Sequence, residues 1–188
     1  MPRFCLPLAI LLCLSCAAGA SVRISGPQVG SIAPDFKARN LLTGEKIALN
    51  SQRGKVVILT FWASWCAPCR RELPVLEKAQ VVVGRDRLTI FAVSFQEHPE
   101  AMRGIKKLAA GWHINMIEDT WGLIAGRYAI SGIPHLFIIG RDGTVLANRL
   151  GYGEGSLQEL VDDINHALAG TGTPPAEPQP AGGPSDTT

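Results

Sequence analysis

Apolar and polar positions divide the chain into a short series of strands and helices. Residues 56–62 and 88–95 are almost unbroken apolar runs rich in Val, Ile and Phe. Such runs predict central strands covered on both faces. Residues 136–139 form a third apolar strand, and Arg141-Asp142-Gly143-Thr144 is a hairpin turn into a return strand over 145–150. Two short extended pieces, 36–40 and 45–49, flank the turn Thr43-Gly44, and a further short piece covers 114–117. Leu73, Leu76, Ala79 and Val83 recur at helical spacing, which predicts a helix from Cys66 to about Val83. Pro74 lies inside it and is expected to kink it. Pro99 suits the first turn of a second helix ending before Gly111, and 121–128 read as a short third. Ser156-Leu157-Gln158-Glu159 has the spacing of a capping box and opens a last helix to about Leu168. Strands alternating with helices predict an α/β fold: a central mixed β-sheet flanked by helices on both faces, with an N-terminal β-hairpin extension.

The two ends of the chain read differently. Residues 1–20 combine Arg3, an apolar stretch over 6–14 and the small-residue end Ala18-Gly19-Ala20. This is the pattern of a secretory signal peptide, and it points to a periplasmic or other extracytoplasmic location. The stretch is short for a bilayer span, but a retained anchor and lipidation at Cys16 stay open as alternatives to cleavage. Residues 21–30 read as a linker and 31–170 as one folded domain. Residues 171–188 hold five of the thirteen prolines and no large apolar side chain, and so predict a disordered tail. A formal net charge of +2 gives no reason to expect nucleic acid.

Cysteine usage carries the chemistry. Three of the five cysteines, Cys5, Cys13 and Cys16, fall in the leader, which leaves Cys66 and Cys69. A disulfide closing so short a loop adds little constraint, so the pair is there to react or to hold metal. Zinc would want two further ligands, and the histidines show no spacing typical of them, so no metal and no cofactor are expected. Only a thiolate attacks, and a free thiol with a pKa of about 8.5 is mostly protonated at neutral pH. Cys66 sits where the unpaired amides of a helix N-terminus favour negative charge, and it is expected to be exposed, with Cys69 deeper. Pro68 stiffens the turn. The expected cycle runs through a mixed disulfide on Cys66 that Cys69 resolves.

Phe61-Trp62-Ala63-Ser64-Trp65-Cys66-Ala67-Pro68-Cys69 resembles the active-site stretch of the thioredoxin superfamily. Ala33-Pro34-Asp35-Phe36 and Arg53-Gly54-Lys55 are similar to the exported TlpA/ResA-like branch, and the resemblance runs from about residue 30 to 168. It implies a thioredoxin-like fold for 31–170 and a cis bond at Ile133-Pro134 facing the cysteines. It also implies a client-contacting surface made of Trp65, Ala67, Pro68, Ile133, Pro134 and His135. Glu97 falls where the branch carries an acidic group, which implies a proton carrier for Cys69. Thr60 replaces the buried Asp of thioredoxin itself, which raises the interest of Glu97. Peroxidases that share the upstream Ala-Pro-Asp-Phe pattern carry Pro and Thr where this chain has Leu59 and Ala63, so peroxidase activity is not expected.

The resulting expectation is an exported thiol–disulfide oxidoreductase with a redox-active Cys66–Cys69 disulfide. By resemblance it reduces selected envelope proteins in cytochrome c or copper-site maturation. A membrane electron donor of the DsbD/CcdA type recharges it, and it acts as a monomer. Two alternatives stay open. One is the same chemistry run as a disulfide oxidant or isomerase. The other is a Cu(I)-binding metallochaperone using Cys66, Cys69 and His135.

Overall fold

A computed structural model describes residues 26–170. The leader over 1–20, residues 21–25 of the linker and the tail over 171–188 lie outside the described residues.

Strand β1 (Lys37–Arg39) pairs antiparallel with β2 (Lys46–Ala48) as a hairpin. A five-stranded sheet follows, made of β3 (Val56–Trp62), β4 (Leu88–Ser94), β5 (Asn115–Ile117), β6 (His135–Ile139) and β7 (Val145–Leu150). Its order is β5-β4-β3-β6-β7, with β4 parallel to both β3 and β5, and β6 antiparallel to both β3 and β7. The hairpin joins the β5 edge through the Leu41 amide, 2.7 Å from the Met116 carbonyl, and through Asn40 Nδ2, 3.0 Å from Asn115 Oδ1. Helices α1 (Ala67–Val83), α2 (Pro99–Leu108), α3 (Leu123–Arg127) and α4 (Ser156–Ala169) complete the fold.

Every residue of β3 and β4 is buried, as an unbroken apolar run requires of a central strand. Their side chains alternate between two cores. Val56, Ile58 and Trp62 pack with Leu73 and Leu76 of α1, Met102 and Ile105 of α2, and Leu160 and Ile164 of α4. Val57, Leu59 and Phe61 face the other way, toward Phe36, Leu49, Ile124 and Tyr128. The helices therefore cover both faces of the mixed sheet. On the second face, the rings of Tyr128 and Phe137 meet edge-on at 5.1 Å, and the Tyr128 hydroxyl donates to the Pro34 carbonyl at 2.8 Å.

One predicted cap does not form. Gly155, with φ +83°, occupies the cap position of α4, and Ser156 is already helical. The Ser156 hydroxyl accepts from the Gly153 amide at 2.9 Å. Glu159 is drawn away by Arg149 of β7, 2.6 Å distant, whose guanidinium also binds the buried Asp163. A tertiary ion pair thus outcompetes the local capping signal.

Gln80 on α1 closes a gap in the sheet edge. Pairing of β4 with β5 starts only at Phe91. Before it, Gln80 Nε2 donates to the Leu88 carbonyl at 2.8 Å and Gln80 Oε1 accepts from the Ile90 amide at 2.9 Å. Gln80→Ala leaves both buried groups unpaired and is expected to lower stability by about 3 kcal/mol. A urea-midpoint comparison checks this, and a loss within about 0.5 kcal/mol would contradict the assignment.

Candidate active site

Strand β3 delivers the chain to a tight turn, closed by the Cys66 amide donating to the Ala63 carbonyl at 3.1 Å. Cys66 is the cap residue of α1, with extended φ and ψ of −85° and 103°. Its sulfur accepts the Cys69 amide hydrogen at 3.2 Å. One of the otherwise unpaired donors of the first helical turn therefore points at the sulfur, as negative charge there requires. Pro68 falls in that same turn, where a missing N–H costs nothing. A 2.02 Å bond joins the two sulfurs.

Cys66 is less exposed than its place at a helix terminus suggests. In the disulfide it is 6 % exposed and Cys69 is 1 % exposed. Both sulfurs belong to the core between the sheet and α1, because the turn folds back over the end of β3. The exposed neighbours are Trp65, 56 % accessible, and Ala67, with Pro68 half-buried.

Ile133-Pro134 is cis. Sheet register sets its place: His135 pairs with Phe61, so Pro134 enters β6 beside the end of β3 from which the cysteine turn springs. The Pro134 carbonyl is held by the Gly151 amide at 2.8 Å, and Ile133 is half-buried between the two cores.

His135 turns toward the second core. Its ring stacks on Phe137 at 4.7 Å and 16°, with Nε2 2.6 Å from Asn148 Oδ1. An amide oxygen only accepts, which assigns the proton to Nε2 and leaves Nδ1 as a buried, unpartnered lone pair. Burial lowers the imidazole pKa below its ordinary value, while the Asn148 contact works the other way. Packing thus places His135 on the sheet face opposite the core that holds the sulfurs. Among the described residues no group of three His, Cys, Asp or Glu side chains is arranged to hold a metal ion.

Glu97 is committed to the turn itself. Its carboxylate accepts from the Ser64 amide at 2.5 Å and the Ser64 hydroxyl at 3.0 Å, and from the His98 amide at 3.3 Å. These contacts clasp the residue two positions before Cys66.

The acid that sequence reasoning missed is Glu72. It lies three residues after Cys69 on α1, a spacing that puts both side chains on one helix face. Both belong to the buried stripe Cys69, Glu72, Leu73, Leu76 and Gln80. Glu72 is 2 % exposed and accepts from the Thr60 hydroxyl at 2.8 Å. Burial pushes its carboxyl up to about 7, with the Thr60 bond pulling the other way. Thr60 on β3 is thus the partner of a carboxyl arriving from the helix. The signal was present: a Glu between Cys69 and Leu73 falls on the apolar stripe, whereas Arg70 and Arg71 fall outside it and are exposed.

A titration follows. Between the ordinary value of 4.5 and about 7, the unfolded chain has lost a proton that folded Glu72 keeps. Stability of the oxidised protein should therefore fall as pH rises through that window, by roughly 3 kcal/mol in total, and level off above it. Glu72→Gln should flatten this slope in urea titrations run at several pH values. An unchanged slope in the variant would contradict the placement.

Comparison with known proteins agrees with this geometry. The AhpC/TSA family model matches residues 29–148. The thioredoxin-like protein YneN of Bacillus subtilis is 34% identical over 122 residues, covering 64% of this chain and 70% of its own. The thiol-disulfide oxidoreductase ResA of Geobacillus kaustophilus is 31% identical over 151 residues, covering 76% and 84%. The crystal structure of a protein described as a thiol:disulfide interchange protein DsbE from Chlorobium tepidum superposes with a TM-score of 0.67 at 29% identity, over 76% of this chain and 99% of that one. The chain belongs to the AhpC/TSA family of thioredoxin-like proteins and is a thiol–disulfide oxidoreductase of the ResA/DsbE type.

Proposed function

We propose that this protein is exported and reduces disulfides in selected client proteins outside the cytoplasm. The observation that carries the reading is the Cys66–Cys69 pair at the N-terminus of α1, its outer sulfur accepting a helix amide and its inner cysteine one helical turn from a buried acid. Reduction starts with Cys66 as thiolate. It attacks one sulfur of a client disulfide, and the other client sulfur leaves and takes a proton from water. Cys69 then gives its thiol proton to the Glu72 carboxylate, attacks Cys66 and releases the second client thiolate. Two electrons pass to the client and the Cys66–Cys69 bond forms. Glu72 ends the cycle protonated, the state that its burial favours.

Trp65, Ala67 and Pro68 on one side and Ile133, Pro134 and His135 on the other would form the client surface. Glu97 would keep the Ser64–Cys66 turn in shape rather than move the proton. The leader over 1–20 supports export, with residues 21–30 as linker, 31–170 as the working domain and 171–188 as an unstructured tail. Outside the cytoplasm there is no bulk dithiol pool, so a membrane donor of the DsbD/CcdA type would re-reduce the pair. Clients in cytochrome c or copper-site maturation are what the sequence resemblance to the TlpA/ResA-like branch implies, and the domain would act as a monomer. The packing of His135 against Phe137 favours this reading over a three-ligand Cu(I) site.

Trapping tests the proposal. Cys69→Ala should leave mixed disulfides on Cys66 in the cell envelope, and mass spectrometry of the adducts would name the clients. Cys66→Ala should form none and lose insulin reduction altogether. Adducts that form equally well without Cys66 would sink the assignment.

A further inference from the structure

Each reduction leaves a proton on Glu72; it returns to Cys69 when the pair is recharged or leaves to water, and the second route depends on solvent access. Only an O–H bond is broken in that step, and water or a buffer base is the acceptor. A cleft of about 860 Å³ runs between β7, α4 and residues 28–29, and Glu72 forms part of its wall. Yet Glu72 is only 2 % exposed. Something must stand between its carboxyl and the water in the cleft.

Leu136, Leu160 and Tyr152 are bulky cleft-lining residues that also pack into the core around α1. Leu136 is fixed on β6 and Leu160 on α4. Tyr152 is carried by the connection Gly151-Tyr152-Gly153-Glu154-Gly155, whose first and last glycines have φ of +91° and +83°. Those left-handed values let the chain double back around the tyrosine, at positions where a side chain would be strained. The start of the connection is pinned to the proline loop by the Gly151 amide on the Pro134 carbonyl, 2.8 Å away. The Tyr152 phenol has its pKa raised, first by burial and then by the charge of Glu72, with Arg71 opposing.

The polar and charged groups nearby are already engaged or exposed. Thr60 of β3 is already bonded to Glu72. Arg71 of α1 is exposed. His135 of β6 stacks on the other core, and Arg149 of β7 is engaged by Glu159 and Asp163 of α4.

We propose that the Tyr152 ring is the seal over Glu72, a positioning residue that keeps cleft water off the carboxyl and governs its proton exchange with solvent. The proposal rests on the reading of Glu72 as the proton store of the reaction, but its test does not depend on a client. The Glu72 carboxyl is followed by infrared spectroscopy in the oxidised full-length protein, its band assigned by loss in Glu72→Gln. Tyr152→Ala should lower the protonation midpoint by about one pH unit. Tyr152→Thr, a second opened variant, should do the same if the alanine variant folds poorly. Tyr152→Phe keeps the ring and should stay near the wild-type midpoint. The pH profile of insulin reduction should shift in parallel with the opened variants. The proposal is overturned if both opened variants keep the wild-type midpoint, or if Tyr152→Phe falls as far as Tyr152→Ala. A midpoint that drops while the pH profile of insulin reduction stays unchanged supports the seal and removes the reading of Glu72 as proton store.

Discussion

A helix begun at the end of a buried strand has amides in its first turn with no carbonyl to bond. Here one of them, on Cys69, points at the sulfur of Cys66. The rest of the fold serves this contact. β3 is buried along its whole length, which fixes the point from which the turn springs. α1 is anchored by Leu73 and Leu76, which fixes the direction of its dipole. β6 runs antiparallel beside β3 and brings Pro134 to the same end of the sheet. Glu97 grips Ser64, so the turn is clamped from the β4 side as well.

The second constraint is electrostatic and works against stability. A carboxyl buried with one hydroxyl partner resists ionisation, and a protein would ordinarily replace it with an apolar side chain. Retaining Glu72 places a carboxyl raised to about 7 on the same buried helix face as Cys69. The proton-accepting role proposed for Glu72 would account for that cost. The two cysteines thereby meet different parts of one helix: an amide of its first turn addresses the Cys66 sulfur, and Cys69 shares its buried face with Glu72.

Much of this was legible in the sequence because it follows from runs and punctuation. The strand over 56–62 was bounded as observed, since an uninterrupted apolar run between a glycine turn and the cysteine turn admits few other readings. The hairpins declared themselves through Thr43-Gly44 and Asp142-Gly143. What failed depended on partners far away in sequence. Ser156 and Glu159 have capping-box spacing, but Arg149 competes for the glutamate and Gly155 takes the cap. Cys66 was expected at the surface because helix termini usually are, and the turn folds it into the core instead. Glu97 follows a central strand, and its carboxylate accepts from the His98 amide and from Ser64, the latter a contact between residues far apart in sequence that only the fold reveals. Glu72 is hard to see in the sequence because it is a polar residue standing among the apolar positions of the buried helix face.

The sulfur of residue 66 is expected to be ionised near neutral pH by the helix it caps. The most direct measurement is the rate of Cys66 alkylation by iodoacetamide against pH in the reduced protein, with Cys69 replaced by Ala. A midpoint below about 7.5 is expected. A midpoint at the ordinary thiol value of about 8.5 would contradict it.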